Sequence, residues 1–157
     1  MYGEIKNYIT EFQTIYQGQP FYGKPLMDIV KQADIKKVYK KPSATGHSAY
    51  EILQHLLAWR VYFVKKLNGD KEASIKVNSA DDWPPLPAMQ TEDNWKALIK
   101  KVELNHQALI TALSQYKDES LDEKFAGSIY PLRTFLNGQI QHDIYHIGQI
   151  ALAVKNN

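Results

Sequence analysis

The interpretation of this sequence depends on one stretch near its C-terminal end, Gln139-Ile140-Gln141-His142-Asp143-Ile144-Tyr145-His146-Ile147-Gly148-Gln149-Ile150. No proline interrupts residues 132–154, so a helix is predicted there. Residues four apart lie one above the other on a helix, so His142 and His146 can direct two imidazoles at one point. This geometry chelates transition metals, although two histidines at this spacing also occur by chance. A metal site therefore needs a third ligand from elsewhere in the chain.

Length and composition indicate one globular domain spanning residues 1–157. The chain is 44% hydrophobic and 23% charged, and its net charge of +2 is too small for a nucleic-acid footprint. The absence of cysteine excludes disulfides, thiolate metal ligands and a cysteine nucleophile. No stretch approaches 18 apolar residues and the N-terminus lacks an apolar signal core. We therefore expect a cytoplasmic protein with neither a membrane nor a nucleic-acid partner.

Apolar residues at steps of three and four predict four long helices. The first covers residues 2–17, the second runs from 48 to about 68, the third opens at 91 with a stripe reaching 113, and the fourth begins at Pro131 with a stripe reaching 154. A short helix is predicted over residues 25–33, and connections over 40–46, 70–90 and 118–130. The fold class predicted is therefore all-α, a four-helix bundle with long cross-connections, whose winding order the long links leave open.

The second helix supplies the candidate third ligand. Ser48-Ala49-Tyr50-Glu51 matches a capping box, directly before an apolar run. His55 falls at the edge of the apolar arc that follows. Bundles place metal sites between facing helices, so His55 lies where a ligand from a neighbouring helix is needed.

Two blocks of the sequence resemble the DinB/YfiT-like superfamily. His142-Asp143-Ile144-Tyr145-His146-Ile147-Gly148-Gln149-Ile150 is similar to its last-helix motif, H-x3-H-x-G-Q, and Gly46-His47-Ser48-Ala49-Tyr50-Glu51-Ile52-Leu53-Gln54-His55-Leu56 is similar to its second-helix motif. Residues 20–26 and the regions of Trp83 and Trp95 also resemble one branch of the superfamily, so the similarity spans nearly the whole chain.

The resemblance implies a fold, a ligand set and a class of activity. The fold is an up-down-down-up four-helix bundle that often forms a homodimer. The ligands are His55, His142 and His146, and the cofactor is a divalent transition metal, with nickel or zinc first and iron or manganese as further candidates. Relatives include thiol S-transferases that use bacillithiol, mycothiol-dependent isomerases and metal-dependent hydrolases. The substrate would be a small molecule, and a low-molecular-weight thiol is one candidate partner.

Several polar residues have a structural interpretation beside a functional one. We interpret His106, within an apolar stripe, as a core histidine with a hydrogen-bond partner or as part of the lining of the same pocket, with a fourth-ligand role as the alternative. His47 is interpreted as a helix-start residue. Arg60 lies in an apolar arc and is best explained by a buried ion pair, with a dimer contact or an anion clamp as alternatives. Asp143 is expected to pack or pair between helices rather than bind metal directly.

Two further assignments stay divided between structure and function. Glu51 is assigned to the capping box, with a role as a hydrogen-bond acceptor behind the metal ligands or as a general base as the alternatives. Trp59 and Tyr62 either line a pocket beside His55 or pack in the core. No general acid or base is assigned.

Three neutral imidazoles would leave an open position on a divalent ion, as in catalytic zinc sites. A bound water can have its pKa lowered to about 7 and a bound thiol can be deprotonated, so hydrolysis and thiol transfer are both compatible with the ligand set. The alternative is a non-catalytic metal-binding or interaction protein in which the ion only ties the helices together. An open position that faces a cavity would distinguish an enzyme from such a protein.

Overall fold

The computed structural model describes residues 3–156, and side chains up to residue 155. Within that range the chain forms six α-helices and one 3-10 helix and contains no β-strand. The helices are α1 (Glu4–Gln17), α2 (Leu26–Gln32), α3 (Ile35–Val38), α4 (Ala49–Leu67), α5 (Glu92–Leu113) and α6 (Leu132–Asn156), and the 3-10 helix is Asp118–Asp122. The all-α prediction is confirmed. Tyr2, where the first predicted helix begins, lies outside the described residues.

The second long helix, α4, begins and ends where its sequence predicts. The Ser48 hydroxyl accepts a hydrogen bond from the backbone N–H of Glu51, and the Glu51 carboxylate accepts one from the backbone N–H of Ser48. This reciprocal pair satisfies two of the amides that a helix start leaves without partners. After Leu67 the chain turns at Gly69, whose φ of +87° is a left-handed conformation that glycine adopts without a steric cost. The capping box therefore fixes the start of the helix that carries His55.

Two connections contain short helices that periodicity did not reveal. Residues 35–38 form α3, where the Asp34 side chain accepts the N–H of Lys36. The predicted connection 118–130 opens with the 3-10 helix, and Asp118 in it accepts the backbone N–H groups of Glu4 and Ile5 at 2.9 Å each. Elements of four or five residues are too short for an apolar repeat, so sequence periodicity does not detect them.

The long helices pack around one hydrophobic core, and α4 contacts both α5 and α6. Near its start Tyr50 meets Trp95 of α5, and at its end the carbonyl of Leu67 accepts the hydroxyl of Tyr116, just after α5, so these two helices run in the same direction. Along α6 the contacts with α4 run in the opposite order, which brings the middle of α4 to the histidine-bearing part of α6. None of the described helices has both the length and the apolar character needed to cross a membrane.

Candidate metal centre

Three histidines from two helices converge on one point. His55 projects from α4, and His142 and His146 project from one face of α6, as the i,i+4 spacing predicts. The Nε2 atom of His55 lies 3.1 Å from Nε2 of His142 and 3.0 Å from Nε2 of His146. His55 and His146 are buried, while His142 is partly exposed. The structure therefore brings together the three residues that the sequence singled out.

The outer nitrogens of two of these rings face acceptors, which fixes where their protons lie. Nδ1 of His55 is 2.8 Å from a carboxylate oxygen of Asp82 and 2.9 Å from its backbone carbonyl. Nδ1 of His146 is 2.7 Å from Oε1 of Gln149. Because carboxylate and carbonyl oxygens only accept, both Nδ1 atoms carry the proton. In the neutral rings each Nε2 then presents a lone pair toward the other, an arrangement that a cation between them would stabilise.

The separations of the ring nitrogens fit a transition-metal ion. With metal–nitrogen bonds of about 2.0–2.1 Å, two ligand nitrogens lie about 2.9 Å apart at a right angle and about 3.4 Å apart at the tetrahedral angle. The observed 3.0 and 3.1 Å fall between these values. The donor set therefore matches the size of such an ion, and Asp82 and Gln149 orient the rings as acceptors do around metal-bound histidines.

Burial favours the neutral form of His55 and His146, the form that can bind a metal. Desolvation lowers the pKa of His146 to about 4, with the charge of His142 acting in the same direction. Burial also lowers the pKa of His55, and it outweighs the hydrogen bond and charge of Asp82, which act the other way. A neutral imidazole offers a lone pair, whereas a protonated one does not.

Asp82 lies in the connection 70–90, and a compact turn holds it in place. Its backbone N–H and that of Trp83 both donate to the carbonyl of Ser79. Asn78 has a φ of +60°, a left-handed conformation that asparagine tolerates, and its N–H donates to Oδ2 of Asp82 at 2.7 Å. Burial raises the pKa of Asp82, but the hydrogen bonds from Asn78 and Trp59 and the nearby His55 outweigh it and lower the pKa overall. Asp82 is therefore a carboxylate, suited to accept from His55.

The same connection places an indole against the cluster. Trp83 lies between two imidazoles, with its ring stacked on His55 at a centroid distance of 4.0 Å and on His47 at 3.8 Å. The interpretation of His47 as a helix-start residue is therefore incomplete: it precedes the capping box but also stacks on Trp83. Glu51 has the predicted capping role and pairs with Lys41 at 2.9 Å.

Beside the cluster, α4 and α6 are joined by a buried ion pair. The Arg60 guanidinium donates to Oδ2 of Asp143 from Nε at 3.0 Å and from Nη2 at 2.7 Å, and Gln139 donates to Oδ1 at 2.8 Å. Burial raises the pKa of Asp143, yet the charge of Arg60 and the three donors lower it overall. Asp143 directly follows His142, and Nδ1 of His142 lies 3.9 Å from Oδ1. The predicted interhelical pair is present and is adjacent to the site.

His106 lies outside the cluster, in the core position predicted for it. Its ring stacks on Tyr16 with a centroid distance of 3.7 Å, and its Nδ1 lies 3.5 Å from Nη1 of Arg60. Burial and the charge of Arg60 lower the pKa of His106 to about 4. The neutral ring of His106 therefore packs beside the Arg60 side of the buried ion pair.

Two separate cavities border the histidine cluster. One, of about 390 Å³, is reached at His142, and its walls include Trp59 and Tyr62, as one reading of the sequence predicted. The other, of about 590 Å³, is reached at His146 and is bordered by His47, Trp83, Gln149 and neighbouring residues. The cluster is thus accessible from two directions.

Asp82, Trp83 and Gln149 are the site residues to which sequence reasoning gave no role. Gln149 is part of the last-helix motif, and Trp83 lies in a region that also resembles the superfamily. The family resemblance was therefore the available indication for both residues. Nothing in the polar connection 70–90 distinguishes Asp82 from its neighbour Asp81.

Comparison with known proteins agrees with the fold and the histidine cluster. A model of the DinB superfamily matches residues 26–150, which include all three histidines. Neither the curated proteins nor the solved structures contain a match to the chain. Family membership and the three-histidine cluster both fit a metal-binding protein. The chain belongs to the DinB superfamily.

Proposed function

We propose that this protein is a metal-dependent enzyme that binds one divalent transition-metal ion through Nε2 of His55, His142 and His146 and transfers the sulfur of a small thiol to an electrophile. The observation that carries the proposal is the convergence of three Nε2 atoms whose outer nitrogens, in His55 and His146, face acceptors. Nickel and zinc are the candidates that the family resemblance favours, and imidazole ligands suit both.

The ligand number supports a catalytic rather than a purely structural ion. Across residues 3–156, the cluster that could hold an ion consists of these three histidines and includes no carboxylate. Structural zinc sites use four protein ligands, whereas catalytic sites use three and leave a position for a reactant. Such an ion supplies Lewis acidity, which lowers the pKa of a water or thiol that it binds.

The two cavities favour a reaction between two organic molecules over hydrolysis, whose second reactant is water and needs no cavity of this size. A thiol and an electrophile must reach the same point, and the cavities at His142 and His146 provide two approaches to it. In the proposed reaction a sulfur–carbon bond forms, the leaving group departs with the bonding electron pair, and the thiol proton goes to water. The chain contains no cysteine, so the sulfur must come from a bound molecule.

Elemental analysis and cobalt substitution test the proposal. We expect about one metal ion per chain, lost in the triple variant His55→Ala, His142→Ala, His146→Ala and retained in His47→Ala, which removes a histidine that the cluster does not include. Small thiols should change the visible spectrum of the cobalt protein, and a haloalkane or epoxide should then be consumed in a thiol-dependent manner that His146→Ala abolishes. Turnover of esters or amides without any thiol effect would indicate hydrolysis, and an ion closed to added ligands would indicate a structural role.

A further inference from the structure

The cavity at His142 has apolar, aromatic walls. It is formed by Trp59, Tyr62 and Phe63 of α4, by the first half of α6 from Thr134 to His142, and by Tyr130 before that helix. Its volume of about 390 Å³ is within the range of small-molecule sites, which are mostly apolar with a few placed polar groups. The charge and hydrogen-bonding groups of its wall therefore determine which ligands the cavity can bind.

None of the residues that line this cavity is an aspartate, glutamate, lysine or arginine. Lys66 lies near one wall residue, with its Nζ 5.8 Å from the centre of the Tyr62 ring, but that amine already donates to the carbonyl of Lys71 at 2.6 Å. The charge of Arg60 is compensated by Asp143. A substrate charge placed between these walls would lose hydration without gaining an oppositely charged side chain.

Two hydrogen-bonding groups of the wall already have partners elsewhere in the protein. The indole N–H of Trp59 donates to Asp82 at 2.8 Å, and the amide N–H of Gln139 donates to Asp143 at 2.8 Å. His142 is the wall residue that also belongs to the metal cluster. The cavity therefore combines an apolar body with one reactive end.

A glycine keeps the cavity open. Gly138 lies inside α6, where glycine weakens a helix relative to alanine. A Cβ built on Gly138 meets no atom within 4 Å, so the backbone does not need glycine for steric reasons. Gly148, ten residues further along the same helix, has an equally free Cβ position but borders a different groove, beside α2. The two glycines form a matched pair for experiment.

We propose that the cavity at His142 binds an uncharged, aromatic or bulky aliphatic group of the substrate and selects against substrates that carry a charge on that group. The proposal deepens the proposed function, because the cavity serves catalysis only if the histidine cluster reacts. It assigns specificity to the aromatic wall and to the space beside Gly138.

The first test measures binding without chemistry. Calorimetric titration of the metal-free protein, in which no ion can bind the carboxylate, with 2-naphthol and with 2-naphthoate compares a neutral and an anionic ligand of similar shape. We expect 2-naphthol to bind at least about tenfold more tightly. Gly138→Leu should weaken 2-naphthol binding by about tenfold or more without lowering the thermal unfolding midpoint, while Gly148→Leu leaves the affinity unchanged. Absence of 2-naphthol binding, equal binding of 2-naphthoate, or unchanged affinity in Gly138→Leu would overturn the proposal.

The second test separates this proposal from the proposed function. The cobalt-substituted protein is titrated with 2-mercaptoethanol, which is too small to need the cavity, and with phenylmethanethiol. We expect both to change the visible spectrum, with phenylmethanethiol effective at about tenfold lower concentration and its advantage lost in Gly138→Leu. If neither thiol changes the visible spectrum, the proposed function fails, while the comparison of 2-naphthol with 2-naphthoate still tests the binding preference proposed for the cavity. If 2-mercaptoethanol acts and the phenyl group gives no advantage, the cavity proposal fails alone.

Discussion

Arg60 and Asp143 form an ion pair with no exposed surface on either side chain, and Nη2 of Arg60 lies 2.7 Å from Oδ2 of Asp143. The pair joins the middle of α4 to the residue that follows His142 on α6. Gln139 occupies the other carboxylate oxygen, so both oxygens of Asp143 have donors. The same contact therefore sets how α6 packs on α4 and where His142 lies.

Removing one member of this pair should be strongly destabilising. Asp143→Asn leaves the Arg60 charge buried without a counter-charge, and we expect it to lower the free energy of unfolding by about 3–5 kcal/mol. The double variant Arg60→Met, Asp143→Leu should lose much less, since no charge is left unpaired. Urea denaturation measures both, and Glu92→Gln, which removes an exposed pair with Lys96, serves as a control that should change little. Equal losses in the single and double variants would refute this explanation.

Asp82 should support metal binding without touching the ion. Its carboxylate accepts from Nδ1 of His55, and loss of such an acceptor costs about 10–100-fold in metal affinity. We expect Asp82→Asn to show a loss of this size in competition with a coloured chelator. Asp81→Asn changes an exposed neighbour and should retain wild-type affinity. The same affinity in both variants would mean that Asp82 only shapes its loop.

His106 should make the metal-free protein less stable in acid. Its pKa is about 4 in the folded protein and about 6.5 in an unfolded chain, so below about pH 6.5 the unfolded state binds a proton that the folded state does not. The folded state then loses stability as pH falls from about 6.5 toward 4, by about 2 kcal/mol between pH 7 and pH 5 from this residue. Arg60, Asp143 and Tyr16 face the ring.

Denaturant unfolding of the metal-free protein at pH 7 and pH 5 checks this expectation. His106→Phe keeps an aromatic ring against Tyr16 but cannot titrate, so its stability should fall less than that of the wild type over this range. The ligand histidines titrate in both proteins and cancel in the comparison. Parallel pH dependence in the two proteins would contradict the assignment.

We expect a homodimer that uses the outer face of α6. Tyr145 and Leu152 are 64% and 60% exposed, and their spacing of seven residues, about two helical turns, puts both on one side of α6, where they form part of an exposed apolar surface. Light scattering at micromolar concentration should give twice the chain mass, and Leu152→Glu should give a monomer. Leu104→Glu places the same charge on an exposed leucine of α5 and should leave the dimer intact. A monomeric wild-type protein would refute the expectation.

Helical periodicity in the sequence predicts which residues share a face of a helix, but it does not predict which residues of the connecting segments reach the site. His142 and His146 were predictable because helical spacing alone places them on one face, and the motif with His55 added the third histidine. Arg60 was predictably paired because periodicity put it within an apolar arc. The identity of its partner depends on how α4 and α6 are rotated against each other, and no local pattern encodes that rotation.

Asp82 and Trp83 show the limit most clearly. Their positions depend on the turn from Asn78 to Asp82, which periodicity does not describe, and on the packing of this turn against α4. The stack of His47 on Trp83 was missed for the same reason, because it joins a helix start to a loop residue 36 positions away. Helix-based reasoning found the three converging histidines but not the residues that orient and enclose them.

The distance along the chain between Arg60 and Asp143 has a consequence for biosynthesis. The two residues are 83 positions apart, and Asp143 lies in the last helix. At about 5–20 residues per second, a ribosome adds Asp143 roughly 4–17 seconds after Arg60. During that interval the nascent chain contains Arg60, which is buried in the folded protein, but not yet Asp143, which neutralises its charge. The bundle can therefore close only after this part of α6 has been made, and until then the apolar face of α4 is a surface that chaperones would recognise.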